Sequence, residues 1–189
     1  MTSTSYVPPL RPFAAVKLDD KDFDLFALTA QQALDRSALD GRWRQLQAEV
    51  HPDRFASGDA AAQRVAMQRV LRVNEAYRRL KDPVRRAAYL CALRGVPVDA
   101  ERNAAMPAAF LIQQMEWRET LDEAEGLEAV ESLAQDVTTT ERDLLARLTT
   151  CLDTDRDAEG AATQVRALMF VQRFRQDIER RLDVLDSTR

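Results

Sequence analysis

The 189 residues permit one large domain or two small ones, and an apolar fraction of 46% is enough to bury a core of ordinary globular size. Only 5 glycines, against an abundance of Ala, Leu, Arg, Gln and Glu, favour helices and leave little material for hairpins or phosphate-cradling loops, so an all-α protein is expected. A net charge of -4, with 27 basic residues scattered among 31 acidic ones, supplies no broad cationic field for nucleic acid or an anionic membrane, and the distant Cys91 and Cys151 outline neither a disulfide framework nor a zinc site.

Residues 1–20 lack a cationic start and an uninterrupted apolar stretch, which argues against a secretory signal, and nothing later resembles a membrane span. Pro8, Pro9 and Pro12 among Ser and Thr predict a flexible leader there. Phe23, Phe26 and Leu28 then make a short apolar turn of helix. A second helix follows, with Ser37 as its expected cap, Asp40 three residues on, and Leu39, Trp43, Leu46 and Val50 on one stripe. Pro52 breaks the pattern, and residues 51–58 read as a loop. Over 59–80 the positions Ala66, Val70, Val73, Tyr77 and Leu80 again share a face, giving an antiparallel hairpin. Asp82-Pro83 opens another helix and Gly95 with Pro97 closes it. A linker over 96–106 leads to three helical stretches at 107–124, 127–152 and 161–185. In the middle one Leu127, Val130, Ala134, Val137, Leu144, Leu148 and Cys151 approximate a seam that suits an antiparallel three-helix bundle.

His51 is the sole histidine, and alone it says little, because a near-neutral pKa makes it versatile without assigning a task. Its setting says more. His51-Pro52-Asp53 joins two amphipathic helices, and the second ends Asn74-Glu75-Ala76-Tyr77, Leu80-Lys81-Asp82-Pro83 and Arg86-Ala87-Ala88-Tyr89. Over about residues 22–90 this resembles the J-domain family, whose members carry His-Pro-Asp between their second and third helices. The resemblance implies binding to the nucleotide-binding domain of a heat-shock-type chaperone and stimulation of its ATP hydrolysis. Pro52 restricts the loop, Asp53 offers a carboxylate to a partner arginine, and Arg42, Arg44 and Arg54 are expected to add positive charge beside it. Ala48, Glu49 and Val50 stand where J domains often have further basic residues.

Along 107–124, Phe110, Gln114, Trp117 and Leu121 form a core stripe at about 100° per residue. Leu111 and Met115 fall on an adjacent face beside Arg118, Glu119 and Asp122, with Ile112 toward its margin, an arrangement like the centre and rim of a contact surface. In the last helix Val171, Phe174, Ile178, Leu182 and Leu185 form the core stripe, and Phe170 projects to one side, as a partner anchor or as packing between domains. The run from Phe110 to Glu123, with Phe23-Asp24-Leu25-Phe26 and Tyr89-Leu90, is similar to the HscB family of iron–sulfur J-proteins. That resemblance implies an L-shaped, all-α, cytoplasmic bacterial protein: a J domain over 21–95 and a scaffold-binding bundle over 107–189. It further implies two partners, the scaffold IscU and the DnaK-class chaperone HscA, and a contact set of Leu111, Met115, Glu116, Arg118, Glu119 and Phe170. Met115 and Trp117 replace leucines common in that family, keeping hydrophobic contact with a changed shape.

No phosphate loop or cysteine ligand set is readable, so no cofactor, nucleotide or cluster is expected on this chain. Three other readings stay open. One is a J-protein serving other clients, with the bundle as a dimerisation or client-binding module. Another is an enzyme using His51 as a base with Asp53, although no nucleophile or metal ligands accompany them. The third is a purely structural helical protein in which the tripeptide is incidental, and it predicts that Asp53→Asn changes nothing measurable.

Overall fold

The computed structural model describes residues 12–49, 60–98 and 106–187. Every regular element among them is helical, in the order α1 (Asp22–Leu25), α2 (Arg36–Glu49), α3 (Ala60–Lys81), α4 (Pro83–Leu93), α5 (Ala108–Glu123), α6 (Leu127–Thr149) and α7 (Ala158–Ser187). Among the described residues no helix is long and apolar enough to cross a membrane. The chain divides into two compact units, Met1–Arg86 and Ala87–Arg189, so the division falls inside α4 rather than at the linker expected over 96–106. Residues 99–105 of that linker lie outside the described residues.

The first unit is built on the α2/α3 hairpin. Leu39 and Leu46 of α2 and Val73, Ala76 and Leu80 of α3 are at most 1% exposed and share a core with Phe23, Leu25 and Phe26. The helices run antiparallel, because Arg36 reaches the Lys81 carbonyl, Tyr77 donates to Asp40, and Trp43 and Gln47 both donate to the Asn74 side chain. The start of α2 differs from expectation. Its cap is Asp35, whose carboxylate accepts from the backbone N–H groups of Ser37 and Ala38 and from the Ser37 hydroxyl. Asp40 is unavailable for a capping box because it pairs with Arg36 at 2.8 Å and accepts from Tyr77 at 2.9 Å.

The leader also needs correction. From Pro12 onward it is part of the unit: Phe13 and Val16 are 3% and 2% exposed, and the Phe13 N–H donates to the Glu49 carboxylate. Two apolar side chains spaced three apart bring that segment down onto the core despite its prolines. Residues 1–11 lie outside the described residues.

Asp22 locks α1 to α3. It is fully buried, with Arg72 at 2.7 Å and Arg79 at 2.9 Å, and Arg72 also donates to the Leu18 and Asp20 carbonyls. A buried carboxylate is tolerated because two guanidinium groups compensate it. At α4 the expected signals hold: Asp82 accepts from the N–H groups of Val84 and Arg85, and Pro83 occupies the first turn, where no donor is missed. The helix ends in a Schellman pair, Val96 N–H to the Cys91 carbonyl and Gly95 N–H to the Ala92 carbonyl, with Gly95 at φ 84°.

The second unit is a three-helix bundle. Phe110 and Trp117 of α5 meet Phe170 and Phe174 of α7 in that order, so α5 and α7 run parallel, while the Glu141–Arg175 pair and α6's short link to α7 make those two antiparallel. The α6 seam is Val130, Leu133, Val137, Leu144, Leu148 and Leu152, all at most 6% exposed. Leu127, Ala134 and Cys151, expected in that seam, are half-buried. Past Thr149 the chain continues into a π-helical turn, Thr150–Asp155, which ends at Arg156 with φ 57°. The separator expected over 153–160 thereby shrinks, and α7 starts at Ala158, capped by Asp157 through the Gly160 N–H.

Candidate partner-binding faces

His51, Pro52, Asp53 and Arg54 lie outside the described residues. The helices that flank them are held by side chains of the Asn74-Glu75-Ala76-Tyr77 run. Asn74 accepts from Trp43 and Gln47 at 3.0 and 2.7 Å, Ala76 is fully buried, and Tyr77 stacks on Trp43 with ring centroids 4.7 Å apart. Glu75 pairs with Arg79 on the outside. This motif is therefore structural, fixing the register of the α2/α3 hairpin.

Of the cations expected beside that loop, Arg44 is exposed. Arg42 is not: its side chain is buried and its guanidinium donates to the carbonyls of Phe26 and Ala27, the latter at φ 47°. Burial pushes the Arg42 pKa down from its ordinary value, although the group stays charged at neutral pH. Arg42 braces the turn after α1 and adds no free charge to a docking surface. The acid that departs from the usual basic run, Glu49, is half-buried and accepts from the Phe13 N–H at 2.6 Å.

On the bundle, α5 turns Trp117 inward at 6% exposure and leaves Leu111, Ile112 and Met115 outward at 46%, 56% and 71%. Glu116, Arg118 and Glu119 are exposed around them. Ile112, expected toward the margin of that pair, is exposed as well. Its angular position beside Glu119 was the available signal, and only the packing of α5 on α6 and α7 shows that nothing in the bundle covers it.

Phe170 does not simply project. It is half-buried in an aromatic chain, edge-on to Phe110 at 5.9 Å and stacked on Phe174 at 5.9 Å, and Phe174 stacks in turn on Trp117 at 5.7 Å. The Arg118 guanidinium lies 5.4 Å over the Phe170 ring. Phe170 thus joins the core to the outward face of α5, and Arg118 is drawn over it by cation–π attraction. The arrangement presents an apolar centre with a mixed-charge rim on a rigid helix, suited to protein contact. Among the described residues no three His, Cys, Asp or Glu side chains gather in a group that could hold a metal ion.

Comparison with known proteins gives concordant results. Residues 106–179 match the family described as the HSCB C-terminal oligomerisation domain. The co-chaperone protein HscB homolog of Burkholderia multivorans is 47% identical over 175 residues, covering 91% of this chain and 99% of that protein. Among solved structures, chaperone HscB from Vibrio cholerae is 37% identical with a TM-score of 0.82, covering 87% of this chain and 99% of that one. The human co-chaperone protein HscB is 26% identical with a TM-score of 0.81, covering 87% of this chain and 83% of that one.

Proposed function

We propose that this chain, which belongs to the HscB family of co-chaperones, serves iron–sulfur cluster biogenesis by holding the scaffold IscU on α5 and delivering it to an HscA-type chaperone. The J domain, residues 21–95, stimulates ATP hydrolysis by that chaperone through His51, Pro52 and Asp53, with Arg44 and Arg54 steering the encounter. The bundle, residues 107–189, carries the scaffold on Leu111, Ile112 and Met115, with Glu116, Arg118 and Glu119 as the rim and Phe170 supporting them from beneath. The protein itself makes and breaks no bonds, and it works in the bacterial cytoplasm.

The observation that carries this reading is the outward apolar group on α5, three large side chains 46–71% exposed on a helix whose opposite face buries Trp117 and half-buries Phe110, Gln114 and Leu121. Exposed apolar side chains grouped within a charged rim mark a contact surface, and a rigid helix presents them at little entropic cost. The test is ATP hydrolysis by HscA with IscU and this protein added separately and together, for wild type and His51→Gln. Synergistic stimulation that vanishes in the variant supports the bridging role. Stimulation indifferent to IscU supports a J-protein for other clients, and no stimulation by folded protein refutes the reading.

A further inference from the structure

The geometry points to Met115 as an oxidation-sensitive switch within the scaffold-docking face: conversion of its thioether to the sulfoxide by a peroxide-class oxidant turns docking off. This inference rests on the docking role proposed for α5 and adds a means of regulating it.

The sulfur is placed for reaction. Met115 is the most exposed of the chain's large apolar side chains among the described residues, at 71%, and it sits between Leu111 and Ile112, whose hydrocarbon side chains offer peroxide nothing to attack. The thiols, ordinarily the faster sulfur nucleophiles, are withheld. Cys91 is fully buried, and burial pushes its pKa up to about 11, leaving a thiolate fraction on the order of one in ten thousand at neutral pH. Cys151 is half-buried, and its pKa is raised by burial and by Asp157 and Asp155. Thioether reactivity does not depend on deprotonation, so exposure decides which sulfur reacts.

In the step itself a sulfur lone pair attacks one peroxide oxygen, the O–O bond breaks and an S–O bond forms. The departing hydroxide takes the proton still on the transferred oxygen and leaves as water. The sulfur is oxidised by two electrons and the peroxide is reduced by two. The product is a polar, chiral group at the centre of an apolar contact. Docking then buries a sulfoxide oxygen that has no donor, which weakens binding by roughly ten-fold or more. Leucine at this position has no sulfur to oxidise and removes the chemistry.

The test measures IscU affinity by calorimetry for reduced protein, for protein treated with hydrogen peroxide, and for treated protein repaired by methionine sulfoxide reductase, in wild type, Met115→Leu and Met67→Leu. Peptide mass spectrometry reports which methionines carry oxygen. Met67→Leu is the control because Met67 is 60% exposed on the other unit. The expected result is a ten-fold or greater rise in Kd for oxidised wild type and oxidised Met67→Leu, reversal on repair, and, for Met115→Leu, the same Kd before and after treatment, whatever its starting value. Unchanged affinity with Met115 oxidised overturns the inference, as does an equal loss in treated Met115→Leu or failure of Met115 to oxidise. Absence of binding by the reduced wild type overturns the docking role itself.

Discussion

Replacing Arg42 separates a brace from a docking cation. The guanidinium is buried and donates to two main-chain carbonyls, those of Phe26 and Ala27, at the point where the chain turns out of α1. In Arg42→Met the aliphatic stem is kept while both carbonyls lose their donor. A hydrogen bond from a charged group contributes about 1.5–3 kcal/mol, and relief of the buried charge offsets part of two such bonds, so a net loss of about 3 kcal/mol is expected. For a protein of this size that corresponds to a fall of about 10 °C in Tm. The assay is thermal unfolding followed by circular dichroism, beside chaperone ATPase stimulation measured well below the transition. Arg44→Ala is the counterpart: Arg44 is exposed, so Tm stays unchanged while stimulation falls and its salt dependence weakens. An Arg42→Met protein that melts with wild type, or whose stimulation falls as Arg44→Ala's does, refutes the assignment of Arg42 as a brace.

Leu111→Asp is expected to raise the Kd for IscU at least ten-fold, by about 1.4 kcal/mol or more, with unchanged Tm; calorimetry and a melting curve together check this. Asp22→Asn leaves Arg72 and Arg79 facing a neutral amide and is expected to cost about 3 kcal/mol, read from urea denaturation of the first unit. Gly160→Ala is expected to strip α7 of its cap, because a β-carbon there collides with the Asp157 carboxylate, and to lower stability by about 1 kcal/mol in the same assay. Acid should loosen the start of α2. Asp35 is held below its ordinary value by the Ser37 hydroxyl and the Ala38 N–H, and Asp40 by Arg36 and then Tyr77. Both folded values lie below the unfolded ones, so this stabilisation is complete above about pH 5 and is lost as the pH falls through the folded values. Carboxyl chemical shifts followed from pH 6 downward, with midpoints expected below the ordinary 3.8, provide the check.

Helices were legible wherever an end signal and an apolar stripe agreed, as at Asp82-Pro83 and Gly95. The start of α2 misled because Asp35 and Ser37 are both capping residue types. Which one caps depended on Asp40 being taken by Arg36 and Tyr77, and the second of these comes from α3. The role of Phe13 and Val16 was hidden by the surrounding prolines, since a single apolar pair is too short to register as a periodic pattern. Arg42 shows a limit of another kind: helical position placed it near a loop, whereas the carbonyls that claim its guanidinium lie 15 and 16 residues earlier in the chain. On α5 the wheel separated Trp117 from Leu111 and Met115 correctly, because burial on one face needs only periodicity. It misjudged Phe170, whose neighbour Phe110 is set by how α5 and α7 pair.

Each compact unit contains one of the chain's 2 tryptophans, and both are stacked on an aromatic neighbour: Trp43 on Tyr77 in the first unit, Trp117 on Phe174 in the second. The molecule is therefore supplied with two intrinsic fluorophores, each reporting on its own unit. Trp43→Phe and Trp117→Phe variants turn a single emission signal into two separate melting curves. Coincidence of those curves would mark one cooperative block, and their separation would rank the two units by stability without any introduced dye.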